Sequence, residues 1–286
     1  MTKERNRSID FMKTLLVWGM VSAHVFQFFA EMKDNQIVST FSTYINSITF
    51  SGFLFCFGYA VGIAYMGKRK NEVIHKFVKN TIRMLLAFYI SGITYNFLVV
   101  RETMNIQALV KVLLLWNIPG YSEFLASFAI LNILTCIFFN QIKRILKCNH
   151  LIMVILLALV LTFFPYNIVK VNQLGLIIGT TKYPSFPIIQ YSPFYLIGIY
   201  FQQNRIWFKL EYLFISLLCS VSFIIYRIVF NKFPNRFPPS VFWILSAAFF
   251  IYIYYIFSIK ISCIYNIPKS LTIPGENSLF FIVDRK

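Results

Sequence analysis

Charge is scarce in this sequence. Charged residues make up 13% of its 286 residues, with ten Asp and Glu against 27 Lys and Arg; an average soluble domain holds roughly 25%. Apolar residues reach 58% and fall in long uninterrupted runs. Runs of about 20 apolar residues are what the hydrocarbon core of a bilayer demands, so an ordinary soluble fold is excluded. Metal and disulfide spacings are missing as well. Cys56, Cys136, Cys148, Cys219 and Cys263 lie far apart without a CxxC pattern, which argues against a disulfide framework. Most of them sit in apolar runs, where a thiol packs as a small hydrophobe. There is no P-loop, Rossmann fingerprint or HExxH motif, and no metal is expected. Internal repeats and linker-like stretches are also lacking, so residues 1–286 are expected to form a single membrane-embedded domain.

The net charge of +17 does not point to nucleic acid. The basic residues stand in short clusters between apolar runs, and no basic surface with interleaved stacking aromatics stands apart from them. Anionic lipid headgroups and phosphorylated substrates are the expected counter-ions. The 33 Phe and 17 Tyr suit lipid-facing and interfacial positions.

The expected fold is an all-α polytopic transmembrane helical bundle with about eight full spans and a partial ninth. The spans are placed at Phe11 to Ala30, Tyr44 to Met66, Thr81 to Val100, Tyr121 to Asn140, Leu151 to Phe164, Pro187 to Phe201, Leu210 to Phe230 and Ser240 to Ile259. The first run lacks a small-x-small cleavage pattern at Phe28-Phe29-Ala30-Glu31 and is expected to remain as a span. Leu109 to Trp116 is too short to cross and is expected to be re-entrant or interfacial. The outer loop Asn167 to Gln190 has no clear periodicity. Ile273 to Val283 resembles the start of a ninth span, interfacial or truncated, before Asp284-Arg285-Lys286. With this placement about nineteen of the 27 basic residues fall on the side of the N-terminus and about seven on the other. That asymmetry puts the N-terminus in the cytoplasm and the chain in the cytoplasmic (inner) membrane.

Ionisable residues inside spans are expensive and mark candidate sites. The first span carries Asp10 and Lys13 at its cytoplasmic mouth and His24 well inside. At 100° per residue, Lys13 and His24 point within about 20° of each other, and Asp10 falls about 40° from His24. The three share one stripe with Val17 and Met20, and His24 lies roughly 16 Å deeper than Lys13. Asp10 and Lys13 also have a simpler account, as an i,i+3 pair at a helix start. His24 has two readings, a proton acceptor in a dry interior or a histidine bonded to a neighbouring carbonyl or hydroxyl. Lys68, Arg69, Lys70, Lys79 and Arg83 cluster at the cytoplasmic mouth of the third span. The first three also fit ordinary topology charge. Glu123, just inside the fourth span, either lines an outer acceptor site or sits at a helix N-terminus. Gly58-x-x-x-Gly62 is a small-xxx-small pattern for close helix packing. Arg236-Phe-Pro-Pro-Ser240 has the form of a rigid turn into the eighth span, and His75 and His150 are expected in solvent.

Arg7-Ser-Ile-Asp10-Phe-Met-Lys13, followed eleven residues later by His24, resembles the first span of the membrane acyltransferase-3 family. Phe53-Leu-Phe-Cys-Phe-Gly-Tyr59 is similar to that family's aromatic second span, with Phe57 in place of a serine. Lys79-Asn-Thr-Ile-Arg83 resembles its arginine-rich approach to the third span, and Gly275-Glu-Asn-Ser-Leu279 the start of its last span. Asn80 stands where a second arginine is usual, and Leu86-Ala87 where a proline is usual. The resemblance implies a multi-pass O-acyltransferase that takes an acetyl or other acyl group from acyl-CoA. The acceptor is a hydroxyl of an envelope glycan or lipid-linked saccharide, of O-antigen, capsule or exopolysaccharide type. It places His24 and Lys13, with Asp10 beside them, in catalysis. Arg83, Lys79 and Arg69 fall to binding of the acetyl-CoA co-substrate. A transporter or flippase for a lipid-linked saccharide is the rival class; against it stand the lack of an inverted repeat and of paired Gly/Pro-broken spans.

Overall fold

The computed structural model describes residues 6–29, 36–101, 106–120, 122–147, 150–264 and 267–277, and every regular element among them is helical. In chain order these are α1 (Arg7–Phe29), α2 (Gln36–Ala64), α3 (Lys70–Tyr95), α4 (Ile106–Leu113), α5 (Glu123–Ile137), α6 (Phe139–Lys147) and α7 (Leu151–Val160). They are followed by α8 (Asn172–Ile178), α9 (Ile188–Gln203), α10 (Leu210–Phe230), α11 (Val241–Ser246), α12 (Ala248–Ile264) and α13 (Lys269–Asn277). Four segments are long and apolar enough to cross a bilayer: α1, α2, α10 and the joined α11–α12. The pair α5 and α6, bent by 80°, makes a fifth if it is one broken span.

The other expected spans are shorter or more polar than the hydropathy suggests. α3 is long, but Lys79, Asn80 and Arg83 interrupt its apolar run. It also begins eleven residues before the expected Thr81, because Val73, Phe77 and Asn80 recur at helical spacing and are buried. α7 has ten residues and passes into a 3-10 turn at Leu161–Phe163. α9 has sixteen. The Leu109 to Trp116 segment overlaps α4, and its end is held by Gln173 Nε2, which donates to the Leu114 carbonyl at 2.7 Å. The long outer loop contains α8. α13 (Lys269–Asn277) covers Ile273 to Asn277 of the expected ninth span; residues 278–286 lie outside the described residues, as do Lys3, Arg5 and Cys148.

The helices group into two compact units. Unit 1 comprises residues 1–64, 194–234 and 242–280. In it α2 and α9 meet backbone to backbone. A Cβ on Gly58 would lie 2.0 Å from the Tyr195 carbonyl oxygen, and one on Gly198 would lie 2.2 Å from that of Phe55. The expected small-residue pattern on α2 is therefore a packing device, used reciprocally. Around it Phe55, Tyr59, Phe201 and Tyr255 pack ring against ring at centroid distances of 5.3–6.4 Å. The link between α9 and α10 is fastened to α12. Tyr252 Oη accepts from the Lys209 amide at 2.8 Å and donates to its carbonyl at 2.9 Å, and Tyr255 Oη donates to the Ile206 carbonyl at 2.5 Å.

Unit 2 comprises residues 65–193 and 235–241. Its centre is the contact of α3 with α5. Buried Asn132 donates to the Phe77 carbonyl at 2.7 Å and to Thr81 Oγ1 at 2.8 Å, which ties α5 to α3 through polar groups that would otherwise be stranded in apolar surroundings. Phe88, Ala126 and Leu176 form the apolar cluster beside it.

Candidate functional site

In unit 1 the first-span residues lie where helical spacing puts them. Lys13 is 5% exposed and Asp10 4%, and Lys13 Nζ lies 3.4 Å from Asp10 Oδ1. An ion pair in such a place has lost the solvation of both partners, which their mutual attraction must offset. Cys56 of α2 lies within electrostatic range of both. From the other side α13 closes over the pair. Gly275 approaches so near that a Cβ there would fall 1.7 Å from the Asp10 carbonyl oxygen. The Gly275 amide donates to Thr14 Oγ1 at 2.9 Å, and that hydroxyl donates to the Asp10 carbonyl at 3.1 Å. Two segments that resemble the family at opposite ends of the sequence thus meet at one point.

Asp10→Asn should strand the Lys13 ammonium and cost about 3–5 kcal/mol, whereas Asp10→Asn combined with Lys13→Met should recover much of that loss. Thermal melting of the detergent-solubilised protein reads both. A single variant as stable as the parent would show that the pair carries no such coupling.

Further along α1, His24 is half-buried. It stands at the border between the buried face, with Met12, Leu16 and Ala23, and an exposed ridge of Trp18, Val21 and Val25. The imidazole is therefore not on the outward ridge.

The cations assigned to donor binding belong to unit 2. Arg83 is half-buried, Lys79 and Arg69 are exposed, and Lys79 and Arg83 share one flank of α3 with Ile74, His75, Val78 and Ile82. That flank borders an open hollow of about 600 Å³. Asn80, which replaces the usual second arginine, does not face the hollow. It is buried, and its Nδ2 donates to Tyr65 Oη at 3.2 Å. The Lys68–Lys70 cluster has structural work: Lys70 Nζ donates to the Ile137 carbonyl at 3.1 Å, and Lys143 Nζ to that of Lys68 at 2.8 Å. His75 and His150 are exposed, as expected.

Glu123, also in unit 2, is 9% exposed at the first turn of α5, and its Oε2 has no hydrogen-bond partner. Its electrostatic neighbour is Arg236, which sequence reasoning treated only as part of a turn. The Arg236 guanidinium lies 4.7 Å from the centroid of Phe237 and 5.9 Å from that of Phe186. One turn beyond Glu123, Ser127 Oγ donates to the Phe186 carbonyl at 2.9 Å. The sequence holds a weak sign of this pairing: a cation and an anion both fall near the ends of expected spans. Among the described residues, no three His, Cys, Asp or Glu side chains come together to hold a metal ion.

Long apolar helices and a buried ion pair with a histidine beyond it on the first span define a helical membrane protein with ionisable residues inside its helices. The chain belongs to the acyltransferase-3 family, whose family model, described as an acyltransferase domain, matches residues 6–281. That match covers nearly the whole chain and implies an acyl donor. No curated protein and no solved structure matches the sequence.

Proposed function

We propose that this protein is a multi-pass O-acyltransferase of the cytoplasmic membrane, with its N-terminus in the cytoplasm and the chain crossing the bilayer about eight times as one functional domain. It moves an acetyl group from acetyl-CoA to a hydroxyl of a cell-envelope saccharide. The observation that carries this reading is the α1 stripe, with the buried Asp10–Lys13 pair at one end and half-buried His24 at the other, in a chain of an acyltransferase family.

In the proposed reaction a nitrogen of His24 accepts the proton of the acceptor hydroxyl as its oxygen attacks the thioester carbonyl. The C–S bond of the tetrahedral intermediate then breaks, and the thiolate takes the proton from the imidazolium. Acetyl ester and coenzyme A are the products, and the base is restored. Lys13 stabilises negative charge near the donor, and Asp10 holds Lys13 in place. Arg83, Lys79 and Arg69 draw the anionic donor to the cytoplasmic face, and Glu123 accepts hydrogen bonds from acceptor hydroxyls at the outer face.

The direct test supplies labelled acetyl-CoA to membranes containing the protein and follows label into glycan, alongside O-acyl analysis of glycan from a strain lacking the chain. Acetyl-CoA-dependent labelling is the expected result. Uptake of a saccharide by vesicles without any need for acetyl-CoA would sink the proposal and favour a transporter.

A further inference from the structure

Unit 1 contains a cavity that the first-span residues do not account for. It has a volume of about 330 Å³, within the range of small-molecule sites, roughly 300–1,000 Å³. Its walls come from four places in the sequence: Asn6 and Ser8 at the start of α1, Tyr59 near the end of α2, Gln202 to Trp207 after α9, and Tyr255 to Cys263 on α12. Among the described residues the lining includes one cation, Arg205, and no carboxylate. With it come an indole, two phenols, two amides and two hydroxyls. The net positive character and the flat rings suit a ligand that is anionic at one point and aromatic at another.

The wall that carries Arg205 is built to hold it. Arg205 has a φ of +49°, a left-handed conformation that side chains rarely adopt and that a helix end normally gives to glycine or asparagine. Directly after it the chain is fastened to α12 by the Tyr255 and Tyr252 hydrogen bonds to Ile206 and Lys209. Arg205 and Trp207 therefore project from a rigid strap, Arg205 exposed and Trp207 64% exposed.

The floor of the cavity leads to the α1 pair. Tyr59 is within hydrogen-bonding reach of Asn6 and Tyr255, and one turn deeper on α2 is Cys56, the neighbour of Asp10 and Lys13. On α1, Ser8 comes just before Asp10, and from Ser8 to His24 the helix rises about 24 Å.

We propose that this cavity seats the phosphorylated adenosine end of the acyl-CoA donor, with Arg205 paired to phosphate and Trp207 against the purine ring. The inference rests on the donor proposed above and adds a seat for it. The α3 cations then attract the donor, and Arg205 fixes it. The shared chemistry, a phosphate at a guanidinium beside an indole, would also suit an anionic lipid headgroup, so the experiment separates the two.

The full-length protein is placed in nanodiscs of phosphatidylcholine alone or with phosphatidylglycerol, and adenosine 3′,5′-bisphosphate is titrated calorimetrically. Saturable binding is expected in phosphatidylcholine discs. Arg205→Glu should weaken it about tenfold or more, since a charge-assisted contact is replaced by repulsion. Arg205→Lys should restore part of the loss, Trp207→Ala should weaken binding several-fold, and Gly67→Ala, where a Cβ meets nothing within 4 Å, should bind as the parent does. Size-exclusion profiles check that each variant is folded; should Arg205→Glu not fold, Arg205→Gln takes its place. Absence of saturable binding, equal binding by the Arg205 variants, or a loss caused by Arg83→Glu and not by Arg205→Glu would overturn the proposal. So would competition by phosphatidylglycerol discs that depends on Arg205 while nucleotide binding does not, which would assign the cavity to lipid. If nucleotide binding fails while acetyl transfer from acetyl-CoA persists, this seat is wrong and the O-acyltransferase reading stands. If binding holds but no acetyl is transferred, the reverse is true.

Discussion

His24→Ala is expected to lower acetyl transfer by about 100- to 10,000-fold, the contribution a positioned general base makes. The variant should still reach the membrane at the parent's level. His24 is half-buried at the border of the α1 faces, and alanine is a good helix former that leaves the span's apolar length intact. His24→Gln should be as inactive, because an amide can accept a hydrogen bond but cannot take up a proton at neutral pH. Initial rates of label transfer from acetyl-CoA, normalised to protein in the membrane, decide the matter. Normal turnover by either variant would remove His24 from the reaction, and with it the mechanism drawn from the α1 stripe.

The second large effect is structural. At the α2–α9 crossing, even the one carbon of Gly58→Ala or Gly198→Ala must push two backbones apart, since the obstructing atoms are the carbonyl groups of Tyr195 and Phe55 and no rotamer change relieves them. Each is expected to destabilise the protein by about 1–3 kcal/mol, the usual range for overpacking, and toward its upper end. Gly67→Ala is the control, because a Cβ there meets nothing within 4 Å. Melting temperatures of the three variants in detergent should fall for the first two and hold for the third. An unchanged Gly58→Ala would mean that α2 and α9 are not in the contact described.

The parts of this fold that were legible in the sequence are those that face lipid. α10 occupies Leu210–Phe230, the same residues as the expected seventh span. Except for Ser220, none of its residues is buried, so its whole composition is set by one apolar environment and carries an undiluted signal. α3 is the opposite case. Val73 and Phe77 are buried and Ile74 and Val78 exposed, and the charges between them made the first three turns look like a loop. The bend between α5 and α6 left no mark either, since neither proline nor glycine stands near Phe138 and hydropathy runs straight across it. Of the candidate site, the Asp10–Lys13 pair was legible because partners three residues apart on a helix are neighbours by geometry. The approach of Gly275 to Asp10 and of Arg236 to Glu123 depends on chain segments distant in sequence, which spacing rules do not reach.

The 80° bend has a further consequence. α5 stops after 15 residues, a rise of about 22 Å. α7 with its 3-10 turn rises about 21 Å, against a hydrocarbon thickness of about 30 Å. Where either helix crosses alone, the surrounding lipid thins to meet it, by hydrophobic mismatch. A dimple of that kind brings the two aqueous faces closer, and the acetyl transfer proposed above runs from one face toward the other. Turnover should accordingly be faster in vesicles of short-chain phosphatidylcholine than in those of long-chain lipid.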